Sequence, residues 1–299
     1  MKNTLVKFST LDSLPRWAVI LVGGVAFFSI SAAFAYLPKN IYLYDDWMIF
    51  YSAARDVLHG LNPVGEFYFF GYYYNPPWLA LALAPLTVFG FRFGAGMLAT
   101  ATLFTTLALC RRYQVSLVKT ALVVASPVVF YLILHGQVDG FVLAGIFLPV
   151  SFWPLAALAK PQTALAIGLK ALEKEYFKKA LILSGAIFLL SLLVFGFWPL
   201  DIIEREVSIQ AYHNLWRGTW PWNLIPGIVL LSFWFRTRDE RLLLSASPFF
   251  SPYAGMNCFL GVWVALHTKL KDWQAALLFV AVWIFGLLTV LNPTRVSWE

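Results

Sequence analysis

Trp17 to Leu37 is a run of 21 residues without one charged side chain, and apolar runs recur to the end of the chain with charge held in the gaps between them. A backbone in lipid has to satisfy its own hydrogen bonds, so continuous apolar runs of this kind fold as helices packed side by side. Composition agrees: with 60% hydrophobic and only 12% charged residues, and a mean hydropathy of +0.73, 299 residues cannot cover a water-facing surface. The pattern predicts an all-α, polytopic transmembrane bundle forming a single transmembrane domain over residues 1–299. It allows roughly 8–11 membrane helices, some of them short or re-entrant.

The net charge of +7 comes from 22 basic and 15 acidic residues, and the basic ones sit in short gaps where orientation in a bilayer demands them. That reading excludes a nucleic-acid partner. Lys2, Lys7 and Arg16 place the N-terminus in the cytoplasm, and the expected location is integral to the plasma membrane of a prokaryote. Ala33-Phe34-Ala35 could pass for a signal-peptidase site. The run before it outlasts an h-region of ~7–15 residues, so a retained anchor is expected. The charge rule gives cytoplasmic turns at Arg111-Arg112 to Lys119, Lys170 to Lys179, Arg236 to Arg241 and Lys269-Leu270-Lys271. It leaves outside residues 38–77, the His135 to Asp139 turn, residues 199–221 with Asp201, Glu204 and Glu206, and Ser251-Pro252-Tyr253.

Pro77 to Phe91, Phe141 to Ala159 and Leu242 to Phe250 are too short for ordinary crossings. Broken helices are expected there, and irregular backbone at membrane depth survives only where it is buried in protein or lines a cavity. A cavity opening on the outer face is expected. Cys110 and Cys258 lack paired spacing and read as packing residues.

Asp45-Asp46-Trp47 opens the first outer segment, and Asp46 to His59 reads as an amphipathic helix with its acidic start at the positive helix end. Gly60 and Asn62-Pro63 stop it, and Tyr72-Tyr73-Tyr74-Asn75-Pro76-Pro77-Trp78 re-enters the apolar phase. Interfacial anchoring accounts for any single aromatic here, but it does not account for adjacent carboxylates.

Four motifs in order resemble the membrane glycosyltransferases of the C superfamily, and within them family 87, whose donors are polyprenol-phosphate-mannoses. They are Asp46-Trp47 with Tyr51 to Ala54 and Gly60 to Pro63; Tyr72 to Pro77; Ser126-Pro127 leading into His135-Gly136-Gln137-Val138-Asp139-Gly140; and Lys160-Pro161-Gln162 with Ser247-Pro248 and Tyr253. Asn75 stands where the family usually has tyrosine, and Ala254 where many members place aspartate. Only twenty residues separate Asp139 from Lys160, which leaves two arrangements: a shallow hairpin over residues 141–159 with Lys160 outside, or one ordinary span with Lys160 at the cytoplasmic face. The hairpin is the favoured one.

The resemblance implies transfer of a sugar, mannose in that family, from a polyprenyl-phosphate carrier to a lipid or glycan acceptor on the outer face. Asp46, or failing that Asp45, would take the acceptor proton, with inversion at the anomeric carbon. Two neighbouring carboxylates repel, so one should hold its proton more tightly. The leaving phosphate needs fixed cations, for which Lys160, Arg55, Arg217 and His213 are candidates. Gln137 and Asp139 could orient sugar hydroxyls, and His135, Tyr74, Asn75 and Tyr253 complete the binding set. Solvent-facing salt bridges are the plainer account of Arg55 and Arg217. No paired histidine spacing marks a metal site, yet a hard cation, Mg or Mn, between Asp46 and Asp139 would suit oxygen ligands. Tryptophans in residues 199–221 fit belt anchoring better than stacking on a sugar. The expected partners are donor, acceptor and membrane lipids. Two other classes stay open: a catalytically inert subunit of a membrane complex, suggested by the short 140–160 region and Ala254, and a lipid or small-molecule transporter, against which the lack of matched halves speaks.

Overall fold

The computed structural model describes residues 16–36, 45–69, 71–204 and 214–291. It is 78% helical and 2% strand. The helices are α1 (Arg16–Ala35), α2 (Asp45–Leu58), α3 (Pro77–Thr87), α4 (Phe91–Arg112), α5 (Leu117–Val124), α6 (Pro127–His135), α7 (Asp139–Leu143), α8 (Trp153–Ala159), α9 (Pro161–Gly168), α10 (Lys174–Phe195), α11 (Pro199–Glu204), α12 (Leu224–Thr237), α13 (Glu240–Ala246), α14 (Leu260–Lys269) and α15 (Asp272–Leu291). The small strand content is a hairpin, Phe67–Tyr68 against Gly71–Tyr72. Sequence reasoning put only helix in the first loop and missed it, because two-residue strands leave no period to read.

Among the described residues, α4 and α10 are long and apolar enough to cross a membrane, and α5 with α6 would make a third span bent by 43°. That is fewer full-length spans than the apolar runs suggested, and proline is the main reason. Pro127 opens α6 behind the Ser126 N-cap, Pro161 opens α9, and Pro85 interrupts α3. Proline removes a backbone donor and crowds the preceding turn, so it divides apolar runs into pieces. Much of the apolar surface is uncovered. Leu181, Ile182, Leu189 and Leu193 of α10 and Ile228, Phe233 and Phe235 of α12 are exposed, which suits lipid rather than water.

Between α7 and α8 the chain folds back on itself. The α7–α8 segment runs through 3₁₀ turns at Ala144–Phe147 and Val150–Phe152 and folds back so far that a Cβ on Gly145 would meet Ala156 at 2.8 Å. Lys160 thereby returns to Asp139, with Nζ 2.7 Å from Oδ2.

Charge sorts to two ends. All four basic gaps meet at one pole: Arg112 and Lys170 both bind Glu240, Arg238 lies 3.5 Å from Glu173, and Lys269 lies 3.9 Å from Asp239. The Lys119 ammonium donates to the Leu270 carbonyl at 3.1 Å. At the other end of α4 the Phe91 carbonyl accepts the Trp47 indole N–H at 2.9 Å. A helix of 22 residues spans about 33 Å, close to the thickness of bilayer hydrocarbon. The segments expected to lie together at that second pole do meet: Asn62 donates to Asp201 at 3.0 Å, and Asn214 to the Pro252 carbonyl at 3.0 Å.

Candidate active site

Trp47 sets the position of the paired aspartates. Its side chain is fully buried between two glycines: a Cβ on Gly94 would stand 3.0 Å from the ring, and one on Gly136 only 2.5 Å from the Trp47 Cβ. Gly136 is also the left-handed C-cap of α6, at φ 64°. It therefore meets two demands, a conformation costly for other residues and a backbone approach that leaves no room for a side chain. This contact seats the start of α2 directly on the His135 to Asp139 turn.

From there a polar chain runs inward. Asp45 Oδ1 lies 2.8 Å from His135 Nδ1, both partly exposed. Asp46 accepts a short hydrogen bond from the Gln137 amide, whose Oε1 accepts from Lys160 Nζ at 2.8 Å. Lysine can only donate, so it fixes which end of the Gln137 amide faces Asp46. Lys160 also donates to Asp139, whose other oxygen accepts from the Thr163 hydroxyl, while Asn257 donates to Asp139 at 2.9 Å. Asp139 and Lys160 are fully enclosed, their side chains 0% and 7% exposed. An unpaired charge at that depth would be costly, and here each has its partners. Burial, reinforced by the Asp45 carboxylate, pushes Asp46 up from 3.8 to about 6 against the pull of Lys160, His135 and Gln137. Asp46 is thus a carboxylate that holds its proton more tightly than usual.

Asp45, Asp46, His135, Gln137, Asp139 and Lys160, drawn from three separate motifs, form one cluster. Tyr253 is half-buried beside Gly255, a Cβ on which would lie 3.9 Å from its hydroxyl and 2.5 Å from Asn257. Arg55 does not join. Nine residues from Asp46 is half a turn in phase, so Arg55 points to the opposite face of α2 and lines a separate groove with Met48, Tyr51 and His59. Arg217 is exposed, and among the described residues no ion pair ties it to the cluster. Tyr74 and Asn75 are half-buried, and it is Tyr73 that packs fully into the core, donating to the Pro76 carbonyl at 3.1 Å. His213 lies outside the described residues.

Asp139 has both oxygens engaged by Lys160, Thr163 and Asn257 and is not open to an ion shared with Asp46. The ligand atoms that do converge are those of Asp45, Asp46 and His135, all within 4.8 Å of one another. Two carboxylates and an imidazole make a mixed oxygen and nitrogen donor set. Thr163 and Asn257 were missed from the sequence. Thr163 had a signal, lying three residues past Lys160 on the face of α9 that Lys160 starts, while Asn257 is a lone amide in an apolar stretch.

No family model, curated protein or solved structure matches this chain.

Proposed function

We propose that this chain is a membrane-embedded glycosyltransferase of the C-superfamily type that moves a sugar from a polyprenyl-phosphate carrier to a lipid or glycan hydroxyl at the acidic pole, outside the plasma membrane. The observation that carries the reading is Asp46: a carboxylate at the partly open end of a buried polar chain, raised to about 6 and fixed in orientation by Gln137. Such a group is ionised at neutral pH yet basic enough to accept a proton.

In the proposed step the acceptor oxygen attacks the anomeric carbon as its proton passes to Asp46. The bond from that carbon to the phosphate oxygen breaks, and its electron pair leaves with the phosphate, giving polyprenyl phosphate and an inverted glycoside. Asp46 then returns the proton to water. His135 stands beside the carboxylates at the same opening, where it can donate to a phosphate oxygen or a sugar hydroxyl. Lys160 would act through Gln137, since Asp139 already holds it. A divalent cation on Asp45, Asp46 and His135 would add positive charge for the leaving phosphate, with Asp46 then a ligand and no longer the proton acceptor.

One observation favours a second reading, the inert subunit: Asp139 and Lys160 are sealed against each other rather than facing an open cavity. Incubating the purified protein in proteoliposomes with radiolabelled polyprenyl-phosphate-mannose and native lipids separates the two. The enzyme yields labelled glycolipid or glycan, whereas no product from any carrier-linked sugar supports the subunit.

A further inference from the structure

The basic pole holds a cleft as well as a set of salt bridges. Arg112 ends α4, Thr237 ends α12 and Lys269 ends α14, and between these helix ends lies a cavity of about 750 Å³. Its charged lining is Arg112, Arg238, Arg241 and Lys269 against Asp239 and Glu240, an excess of two positive charges. The carboxylates are already committed: Arg241 grips Asp239 at 2.6 Å, and Arg112 and Lys170 share Glu240. Arg238 and Lys269 are the loosely held pair, at 3.5 Å and 3.9 Å from their nearest acids, with side chains 58% and 65% exposed.

Helix C-termini favour nearby cations, which suffices for Arg112 and Lys269. It applies as well to Arg238, the left-handed C-cap of α12 at φ 56°, whose guanidinium also lies over Trp234 at 5.0 Å and Phe235 at 5.8 Å. Ile228 and Phe235, seven residues apart and so on one face of that helix, are both exposed. A cationic cleft opening onto an uncovered aromatic and aliphatic helix has the two halves of a lipid site, a place for a phosphate and a lane for acyl chains.

We propose that this cleft binds an anionic phospholipid of the adjoining leaflet, its phosphate between Arg238 and Lys269 and its chains along the Ile228 and Phe235 side of α12. The site is distinct from the carboxylate cluster and needs only that the chain is embedded in a bilayer, so it stands whether or not sugar transfer does.

The test is lipid binding to the delipidated full-length protein in neutral detergent, read by native mass spectrometry with phosphatidylglycerol or phosphatidylcholine. Phosphatidylglycerol should bind and phosphatidylcholine should not. Replacing Arg238→Gln and Lys269→Gln together should weaken phosphatidylglycerol binding about thirtyfold, while Arg238→Lys with Lys269→Arg stays within about threefold of wild type. Equal binding of the two lipids, an unchanged affinity in the glutamine variant, or displacement of the lipid by equimolar inorganic phosphate would overturn the proposal. The wild-type comparison decides even if the glutamine variant fails to fold.

Discussion

Asp46 and Asp45 are neighbours in sequence and unlike in setting. Asp46 is turned inward on Gln137, while Asp45 faces His135 at the opening. With its folded value raised to about 6, Asp46 favours the folded state fully below about pH 4, and that contribution is lost as pH rises through 6. Asp46→Asn is therefore predicted to be more stable than wild type at pH 7.5 by on the order of 3 kcal/mol, with a higher thermal midpoint, and to converge on it at pH 4. Scanning calorimetry in detergent at the two pH values checks this, and equal midpoints at both would remove the buried charge from the account. Activity carries the opposite sign, because the base has to be ionised, so transfer should rise with a midpoint near pH 6. Further in, Lys160→Met leaves Asp139 buried and unpaired and should cost about 3–5 kcal/mol, whereas adding Asp139→Leu should recover most of the loss. Reversible unfolding in mixed micelles measures both. At this scale the sequence was informative where charge was rare: Asp46, Asp139 and Lys160 stand out of apolar surroundings. Arg55 lies off the cluster, in keeping with the plainer solvent-facing account of it, and Asn257 was silent because a lone amide carries no pattern.

Among the elements, the α6–α7 turn does most to build the site. It lies against α2 because Gly136 admits the Trp47 backbone, and α7 lies against α4 because Gly140 faces Thr102, whose side chain a Cβ would meet at 2.6 Å. Gly136→Ala forces a side chain into both a left-handed conformation and a contact of 2.5 Å, and is expected to destabilise the fold by about 3 kcal/mol. Denaturation of Gly136→Ala beside Gly185→Ala gives the measurement and its control, since a Cβ on Gly185 meets nothing within 4 Å. Elements were legible where punctuation was strong. The acidic start of α2 and its end before Gly60 each fall within a residue of the Asp46 to His59 helix that local chemistry predicts. The 67–72 hairpin was not legible, because it is held by local pairing and by Ile49 beneath Gly71, a contact between segments far apart in the chain.

In the molecule as a whole, the two-pole arrangement of charge is the strongest link between sequence and architecture. The four basic gaps were grouped from composition alone, and the fold ties them together at one end of α4 with Asp45, Asp46 and His135 at the other. If those ends lie on opposite sides of a membrane, Glu66→Cys should react with an impermeant maleimide on intact cells and Thr237→Cys only after permeabilisation. Cys110 and Cys258 are buried and should stay silent. Labelling of both positions from one side would break the topology. The number of crossings was less legible, since hydropathy counts apolar runs while prolines decide which of them stay whole.

The central claim is that Asp46 takes the acceptor proton in sugar transfer, and the most direct measurement is transfer of radiolabelled mannose from its polyprenyl phosphate by wild type, Asp46→Asn and Asp45→Asn, each purified and shown to be folded. The account predicts product from wild type, a loss of at least a thousandfold in Asp46→Asn, and a smaller loss in Asp45→Asn. Wild-type levels of product from Asp46→Asn would contradict it.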